Sequence, residues 1–132
     1  MILVLDASAA VSVITAEVGS LKIRAMLRDA TPIAPELILA EVANALWRKA
    51  RLGALTATEA QEALPRLAEL VDPLVPLHDL SAQALDLALR RDHPVYDCYY
   101  VALAMRQAAP LATGDRRLAE RFAGDADIRL IS

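Results

Sequence analysis

Short apolar runs alternate along the chain with longer segments in which apolar residues recur at helical spacing. The first run, Ile2–Leu5, is continuous and ends at Asp6, which predicts a buried β-strand. Further short strands are expected at PIA, LVPLH, PLAT and IRLIS, which occupy residues 32–34, 74–78, 110–113 and 128–132. Strands that alternate with helices predict an α/β fold, with a parallel central sheet of four to five strands flanked by helices.

Proline, glycine and capping residues indicate where the helices begin and end. Pro35 stands at the front of a long amphipathic segment and Gly53 at its end, as is usual for a helix. Thr56 and Glu59 form a possible capping box for the next helix, and Pro65 inside that helix predicts a kink or a break. The remaining helices are expected at 8–15, 17–30, 80–91, 95–105 and 115–124.

Composition narrows the class of protein. Of the 132 residues, 56% are hydrophobic, which is enough apolar material for one domain with one core. The formal net charge is −3. A protein that binds nucleic acid through bulk charge alone would be basic, so any such role must depend on local arginines or bridging metal ions. No apolar run reaches the roughly 18 to 20 residues that span a bilayer, so a soluble, cytoplasmic protein without membrane contact is expected. The single cysteine, Cys98, lies in an apolar helix and is expected to be a core thiol.

Three aspartates fall at one predicted edge of the sheet. Asp6 follows the first strand and Asp115 follows the fourth, and the carboxyl ends of parallel strands share the edge where ligands bind. Asp97 opens the helix that returns to the bottom of the fourth strand, so it starts at the same edge. Converging carboxylates repel one another, and divalent cations such as Mg²⁺ or Mn²⁺, which prefer oxygen ligands, relieve that repulsion.

Glu41 is a fourth candidate acid. It shares a largely polar face of the third helix with Asn44, Arg48 and Arg51. Glu41 also has an ordinary interpretation, as a solvated charge, and each of the three aspartates can simply cap a helix or complement its dipole. Other acids, among them Asp125, are expected to be surface charges.

Cationic and aromatic residues add candidates for nucleic-acid contact. Arg116 and Arg117 directly follow Asp115 and are candidates for holding phosphates, whereas a solvated role is preferred for Arg90 and Arg91. Three tyrosines have rings that could stack on bases, although core or dimer packing is preferred for the last two: Tyr96, Tyr99 and Tyr100.

Four segments carry a resemblance that covers essentially the whole chain. In order, they are LVLDASA, PELILAEVANALWR, YDCYYVALA and LATGDRRL. Together they resemble the PIN-domain ribonucleases, specifically the VapC toxins of bacterial toxin–antitoxin pairs, and imply one PIN domain over residues 1–132. The resemblance implies an acidic metal site with two supporting residues near the metal and phosphate; the acids are Asp6, Glu41, Asp97 and Asp115, and the supporting residues are Ser8 and Thr113. It also implies Mg²⁺- or Mn²⁺-dependent endonucleolytic cleavage of RNA by metal-activated water, a homodimer, and a VapB-type antitoxin that blocks the site.

Other classes of small acidic α/β domain fit less well. A phosphoacceptor receiver domain needs a lysine after its fifth strand, but the lysines here are Lys22 and Lys49. A haloacid-dehalogenase-like phosphatase needs a second aspartate two residues after Asp6, where Ser8 stands. A catalytically silent PIN-like interaction module stays open as an alternative, and a cleavage assay with and without Mg²⁺ distinguishes it from the enzyme.

Overall fold

Five parallel strands form the central sheet of the computed structural model, which describes residues 1–17 and 20–131. The strands are β1 (Ile2–Leu5), β2 (Thr31–Pro35), β3 (Leu74–Val75), β4 (Leu111–Thr113) and β5 (Ile128–Leu130). Their spatial order is β3-β2-β1-β4-β5, so the chain builds outward on one side of β1 and then on the other. The strand order therefore reverses between β1 and β4, and the crevice outside the carboxyl ends at such a reversal is where open parallel sheets bind ligands.

Seven α-helices and one 3₁₀ turn flank the sheet within the described part of the chain. They are α1 (Ala7–Ile14), α2 (Ser20–Leu27), α3 (Leu37–Arg51), α4 (Ala57–Leu70), the 3₁₀ turn (Leu77–Asp79), α5 (Ser81–Arg91), α6 (Val95–Gln107) and α7 (Arg116–Arg121). Leu3, Val4 and Leu5 of the central strand are completely buried. Successive side chains of a strand point to opposite faces, so both faces of the sheet are covered at β1. The predicted α/β class and parallel sheet are confirmed.

Helix α6 is buried along most of its length. Val101, Ala102, Leu103 and Ala104 are consecutive and at most 1% exposed, and Cys98 is a buried core thiol as predicted. Because α6 packs against the sheet and against α5, its first turn is held firmly at the carboxyl edge. Among the described residues, no helix is long and apolar enough to cross a membrane.

Several boundaries differ from the sequence prediction, among them those of β3 and α2. The strand expected at 74–78 is only two residues long, because the chain turns into the 3₁₀ segment after Pro76. The helix expected over 17–30 is α2, and residues 18 and 19 of that prediction lie outside the described residues, as does Ser132 of the last predicted strand.

Of the kink or break predicted at Pro65, the break is wrong, because α4 runs through this residue without interruption. Pro65 lacks the N–H that would bond to the carbonyl of Gln61, but both residues lie on the exposed side of α4, where water can satisfy that carbonyl. Ala63 and Leu67 are buried on either side of Pro65 and hold the helix against the core.

The expectation that Asp125 is a surface charge is also wrong. Its side chain is only 6% exposed, and the Arg91 guanidinium donates to both carboxylate oxygens, from Nε at 2.9 Å and from Nη2 at 2.8 Å. This bidentate ion pair joins the end of α5 to the segment after α7. Arg91 therefore has a structural role instead of the solvated role expected from the sequence.

Candidate active site

An open cleft of about 540 Å³ lies at the carboxyl edge of the sheet, outside β1 and β4. All four acids that the sequence predicts line this cleft: Asp6, Glu41, Asp97 and Asp115. They come from the loop after β1, from α3, from the first turn of α6 and from the loop after β4. The structure therefore brings together four carboxylates that are distributed over most of the chain.

Asp6 is held by three hydrogen bonds and is almost excluded from water. Its Oδ1 accepts from the backbone N–H of Ala9 at 2.9 Å and from the hydroxyl of Ser8 at 2.6 Å, and its Oδ2 accepts from the hydroxyl of Thr113. Asp6 is 6% exposed, and this burial raises its pKa to about 6. The hydrogen bonds oppose the rise in the pKa, and the negative charge of Asp97 adds to it.

Ser8 and Thr113 tie the ends of β1 and β4 together. The Ser8 hydroxyl accepts from the backbone N–H of Gly114 at 2.8 Å, and the Thr113 hydroxyl accepts from that of Asp115 at 3.0 Å, while each hydroxyl donates to Asp6. Ser8 lines the cleft, but Thr113 is completely buried beneath it. Thr113 thus supports Asp6 from below the cleft surface.

Asp115 is the N-cap of α7. Its Oδ1 accepts from the backbone N–H groups of Arg117 at 2.9 Å and Leu118 at 3.2 Å. Asp6 caps α1 in the same way, so the ordinary interpretation as helix caps is correct for both aspartates. Capping does not remove either carboxylate from the cleft, because both residues also line it.

Asp97 does not cap its helix. The N-cap of α6 is Pro94, and the side chain of Asp97 bonds instead to His93, with 2.8 Å between Oδ2 and Nε2. The His93 ring in turn packs edge-on against Phe122, with ring centroids 5.0 Å apart. His93 therefore holds the side chain of Asp97, so the capping interpretation of Asp97 is wrong, whereas its position in the first turn still complements the helix dipole.

Glu41 is positioned by a tyrosine hydroxyl from another helix. The hydroxyl of Tyr100 donates to Oε1 of Glu41 at 2.6 Å. Partial burial raises the pKa of Glu41, this hydrogen bond opposes the rise, and the charge of Asp97 adds to it. Tyr100 is 1% exposed, as the core interpretation predicts, yet its hydroxyl reaches the cleft. Tyr99 packs at the edge of the core, and its hydroxyl lies 2.8 Å from that of Ser81.

The donors in the cleft suit a hard divalent cation, because they are carboxylate and hydroxyl oxygens. Within the described ranges, no three acidic, histidine or cysteine side chains are close enough to enclose a metal ion by themselves. Mg²⁺ usually keeps several waters and binds through one or two carboxylates together with substrate phosphates. The residues present therefore fit a hydrated cation shared with a phosphate rather than a closed protein cage.

Arg116 and Arg117 lie outside the acidic cleft. Both are exposed on the first turn of α7, and Arg117 lines a neighbouring groove with His93, Glu120 and Arg121. Since His93 also contacts Asp97, this groove adjoins the cleft, and Arg117 is better placed than Arg116 to contact a ligand that extends beyond the acids.

Sequence reasoning named Tyr96, which lines the cleft, as a possible base-stacking ring, but it did not assign three other polar residues to the site. Asn44 and Arg48 line the cleft, and His93 contacts Asp97 beside it. Asn44 and Arg48 share the helical face of Glu41, so the periodicity of α3 could have indicated them. His93 precedes Asp97 by four residues but lies before the start of α6, so helical periodicity did not indicate their contact.

Comparison with known proteins agrees with this architecture. A family model of the PIN domain matches residues 3–123. Ribonuclease VapC3 from Pyrobaculum aerophilum is 38% identical over 126 residues, which cover 92% of this chain and 95% of the relative. Ribonuclease VapC1 from Mycobacterium tuberculosis is 34% identical over 129 residues, which cover 97% and 96%.

Solved structures share the fold. The crystal structure of PAE2754 from Pyrobaculum aerophilum is 27% identical and covers 97% of this chain and 92% of its own, with a TM-score of 0.69. VapBC2 from Rickettsia felis reaches a TM-score of 0.70 at 14% identity, with 98% of each chain covered. The chain belongs to the PIN-domain family, and within it to the VapC proteins.

Proposed function

We propose that this protein is a metal-dependent endoribonuclease and the toxin component of a VapBC-type toxin–antitoxin pair. The observation that carries the proposal is the convergence of four carboxylates on one cleft at the reversal point of a parallel sheet. Two relatives that align with more than nine-tenths of the chain are named ribonuclease VapC, which supports the same conclusion. Membership of the PIN family removes the receiver-domain and dehalogenase-like alternatives.

The acids in the cleft would hold the cation, and their neighbours set how each acid is presented. When bound, Mg²⁺ or Mn²⁺ supplies charge neutralisation at the phosphate and a water of lowered pKa. With a pKa of about 6, Asp6 is largely ionised at neutral pH and available as a ligand. His93 holds Asp97, and the Tyr100 hydroxyl holds Glu41, so two carboxylates enter the cleft already oriented.

The partners follow from the same site. The substrate is RNA, and a VapB-type antitoxin would block an acidic cleft most directly with an arginine side chain, which pairs strongly with carboxylates. Structures of the same fold include VapBC-1 from nontypeable Haemophilus influenzae, which supports an antitoxin partner. Phosphate contacts by Arg116 and Arg117, and a homodimer, complete the proposal.

Cleavage of RNA by the purified protein tests the proposal. Activity should require Mg²⁺ or Mn²⁺ and stop in EDTA. Asp97→Asn should remove most of it, whereas Asp86→Asn, a control on the exposed face of α5 that is paired with Arg90, should retain it. Cleavage that persists at full rate in EDTA would refute the metal mechanism, and no cleavage of any RNA by folded, metal-loaded protein would favour the silent interaction module.

Expression in a bacterial host tests the biological role. The chain alone should arrest growth, and co-expression of its partner protein should restore it. Normal growth despite abundant folded protein would contradict the toxin assignment without affecting the nuclease assay.

A further inference from the structure

Arg48 and Tyr96 bring a cation and an aromatic ring to the same cleft as the acids. Arg48 lies on α3 seven residues after Glu41, and Tyr96 directly precedes Asp97 on α6. Tyr96 is 60% exposed, and Arg48 is also exposed. Across residues 1–17 and 20–131, neither side chain makes a hydrogen bond or an ion pair. Nothing in the folded core thus accounts for the position of either group.

The charge of the cleft makes an unpaired cation there informative. Four carboxylates line the cleft, and they repel the phosphate backbone of RNA, so a strand needs cationic groups beside them in order to bind. Arg48 shares the cleft with these acids but forms a salt bridge with none of them. Its guanidinium remains available for an anion from outside the protein.

The exposed ring adds a different kind of contact. Aromatic side chains bind unpaired nucleotides by stacking on the face of the base, whatever its sequence. Bases inside a duplex are already stacked on both faces. An exposed tyrosine beside a phosphate-binding arginine therefore favours a nucleotide that is not base-paired.

We propose that Arg48 and Tyr96 form a nucleotide subsite within the cleft. The Arg48 guanidinium binds a phosphate that flanks the scissile one, and the Tyr96 ring stacks on the base of an unpaired nucleotide. This inference rests on the proposed function, since it names the residues that position RNA next to the acids. Both side chains are positioning residues, and neither takes part in the chemical step.

A matched pair on α3 lies outside the cleft and serves as a control. The guanidinium of Arg51 stacks over the ring of Trp47, with 5.6 Å between its central carbon and the ring centroid. Trp47 is 57% exposed, close to the value for Tyr96, and neither Trp47 nor Arg51 lines the cleft. The two pairs contain the same kinds of side chain at different positions.

Binding in EDTA, where a metal-dependent enzyme does not cut, isolates the subsite from the chemistry. The probe is a short fluorescein-labelled single-stranded RNA of mixed sequence, and its affinity is measured by anisotropy over a range of salt. Arg48→Ala should weaken binding roughly fivefold or more and reduce the salt slope by about one, because one phosphate contact is lost. Tyr96→Ala should weaken binding by about fivefold or more with an unchanged salt slope, and Tyr96→Phe should restore it.

Two further readouts tie these losses to an unpaired nucleotide in the cleft. The same strand annealed to its complement should bind Tyr96→Ala and the parent equally. In Mg²⁺, both alanine variants should raise KM more than they lower kcat. Arg51→Ala and Trp47→Ala should match the parent in every assay.

The possible outcomes distinguish failure of the subsite from failure of the proposed ribonuclease function. If the parent binds and cleaves RNA while both alanine variants behave like the parent, the subsite is refuted and the ribonuclease assignment stands. If equal losses occur at Arg51 and Trp47, the location in the cleft is overturned. If the folded parent neither binds nor cleaves RNA, the proposed function fails first. Melting curves verify folding, and Arg48→Gln and Tyr96→Leu repeat the test if an alanine variant fails to fold.

Discussion

Replacement of Asp6 by asparagine should stabilise the metal-free protein at neutral pH, even though Asp6 makes three hydrogen bonds. Asparagine keeps a side-chain oxygen for the N-cap bond to the backbone of Ala9. Its amide group can donate to Thr113, whose hydroxyl is free to rotate and accept. The change therefore removes mainly a negative charge from a position that is 6% exposed.

The magnitude follows from the pKa. The pKa of Asp6 is about 6 in the folded protein, against 3.8 for an unperturbed aspartate. Between these values the unfolded chain is ionised while the folded protein keeps the proton, so the free energy of unfolding falls as the pH rises. About two pKa units at roughly 1.4 kcal/mol each amount to about 3 kcal/mol, lost once the pH exceeds the folded pKa. For a domain of this size that corresponds to a melting temperature lowered by about 10 °C.

Thermal or urea unfolding in EDTA, between about pH 4 and pH 8, measures the effect. The parent should lose stability across this range, and Asp6→Asn should lose much less, so that the two curves converge at the acidic end. Some decline should persist in the variant, because the pKa of Glu41 is also raised. Mg²⁺ should then stabilise the parent by mass action and the variant less.

Asp115→Asn is the matched control. It is the same chemical change at another N-cap, but at an exposed position. Because this carboxylate is exposed, its replacement should stabilise the metal-free protein much less than Asp6→Asn does at neutral pH. The reasoning is refuted if Asp6→Asn melts below the parent at neutral pH in EDTA, or if the parent becomes more stable between about pH 4 and 7, since either result would mean that the hydrogen bonds to Asp6 outweigh its burial.

Three further substitutions test Asp97, Glu41 and the side chains that hold them. Asp97→Asn should fold, lose most RNA cleavage, and melt in EDTA at the parental temperature or above it, because repulsion among the carboxylates is relieved; a parental cleavage rate would contradict a role for its charge. His93→Phe keeps an aromatic ring at this position but loses the bond to Asp97, so Mn²⁺ titration should show metal affinity or activity reduced by about tenfold, and parental values would contradict the orienting role. Tyr100→Phe removes a hydrogen bond that lowers the pKa of Glu41, so the pH profile of kcat should shift to higher pH. An unchanged profile would show that activity does not depend on the bond from Tyr100 to Glu41.

Much of the fold could be predicted from the sequence, because secondary structure leaves local periodic signals. Alternating apolar runs and helical segments were sufficient for a parallel α/β sheet, and the carboxyl ends of parallel strands necessarily share one edge. The placement of Asp6 and Asp115 at that edge follows from connectivity alone. Asp97 follows from the same argument, since its helix leads back to the bottom of β4.

The sequence predictions are wrong at positions where the effect of a residue depends on packing against distant parts of the chain. A proline weakens a helix, but tertiary packing can keep the helix continuous, and Pro65 lies between two residues anchored in the core. An acid near the end of the chain looks like a surface charge until its partner is known, and Asp125 meets Arg91, which lies 34 residues earlier. Neither outcome can be predicted from the residues within one helical turn of Pro65 or Asp125.

The strand order and the contacts within the site were decided only by the tertiary structure. The order β3-β2-β1-β4-β5 places β4 beside β1, so that Thr113 can donate to Asp6 across 107 residues of sequence. Tyr100 reaches Glu41 across 59 residues in the same way. The sequence by itself determined that Asp6, Asp97 and Asp115 share an edge, because that depends on strand direction. Their burial and pKa values, and the hydroxyl or imidazole that holds each one, depend on which distant segments pack together, and local periodicity carries no information about that.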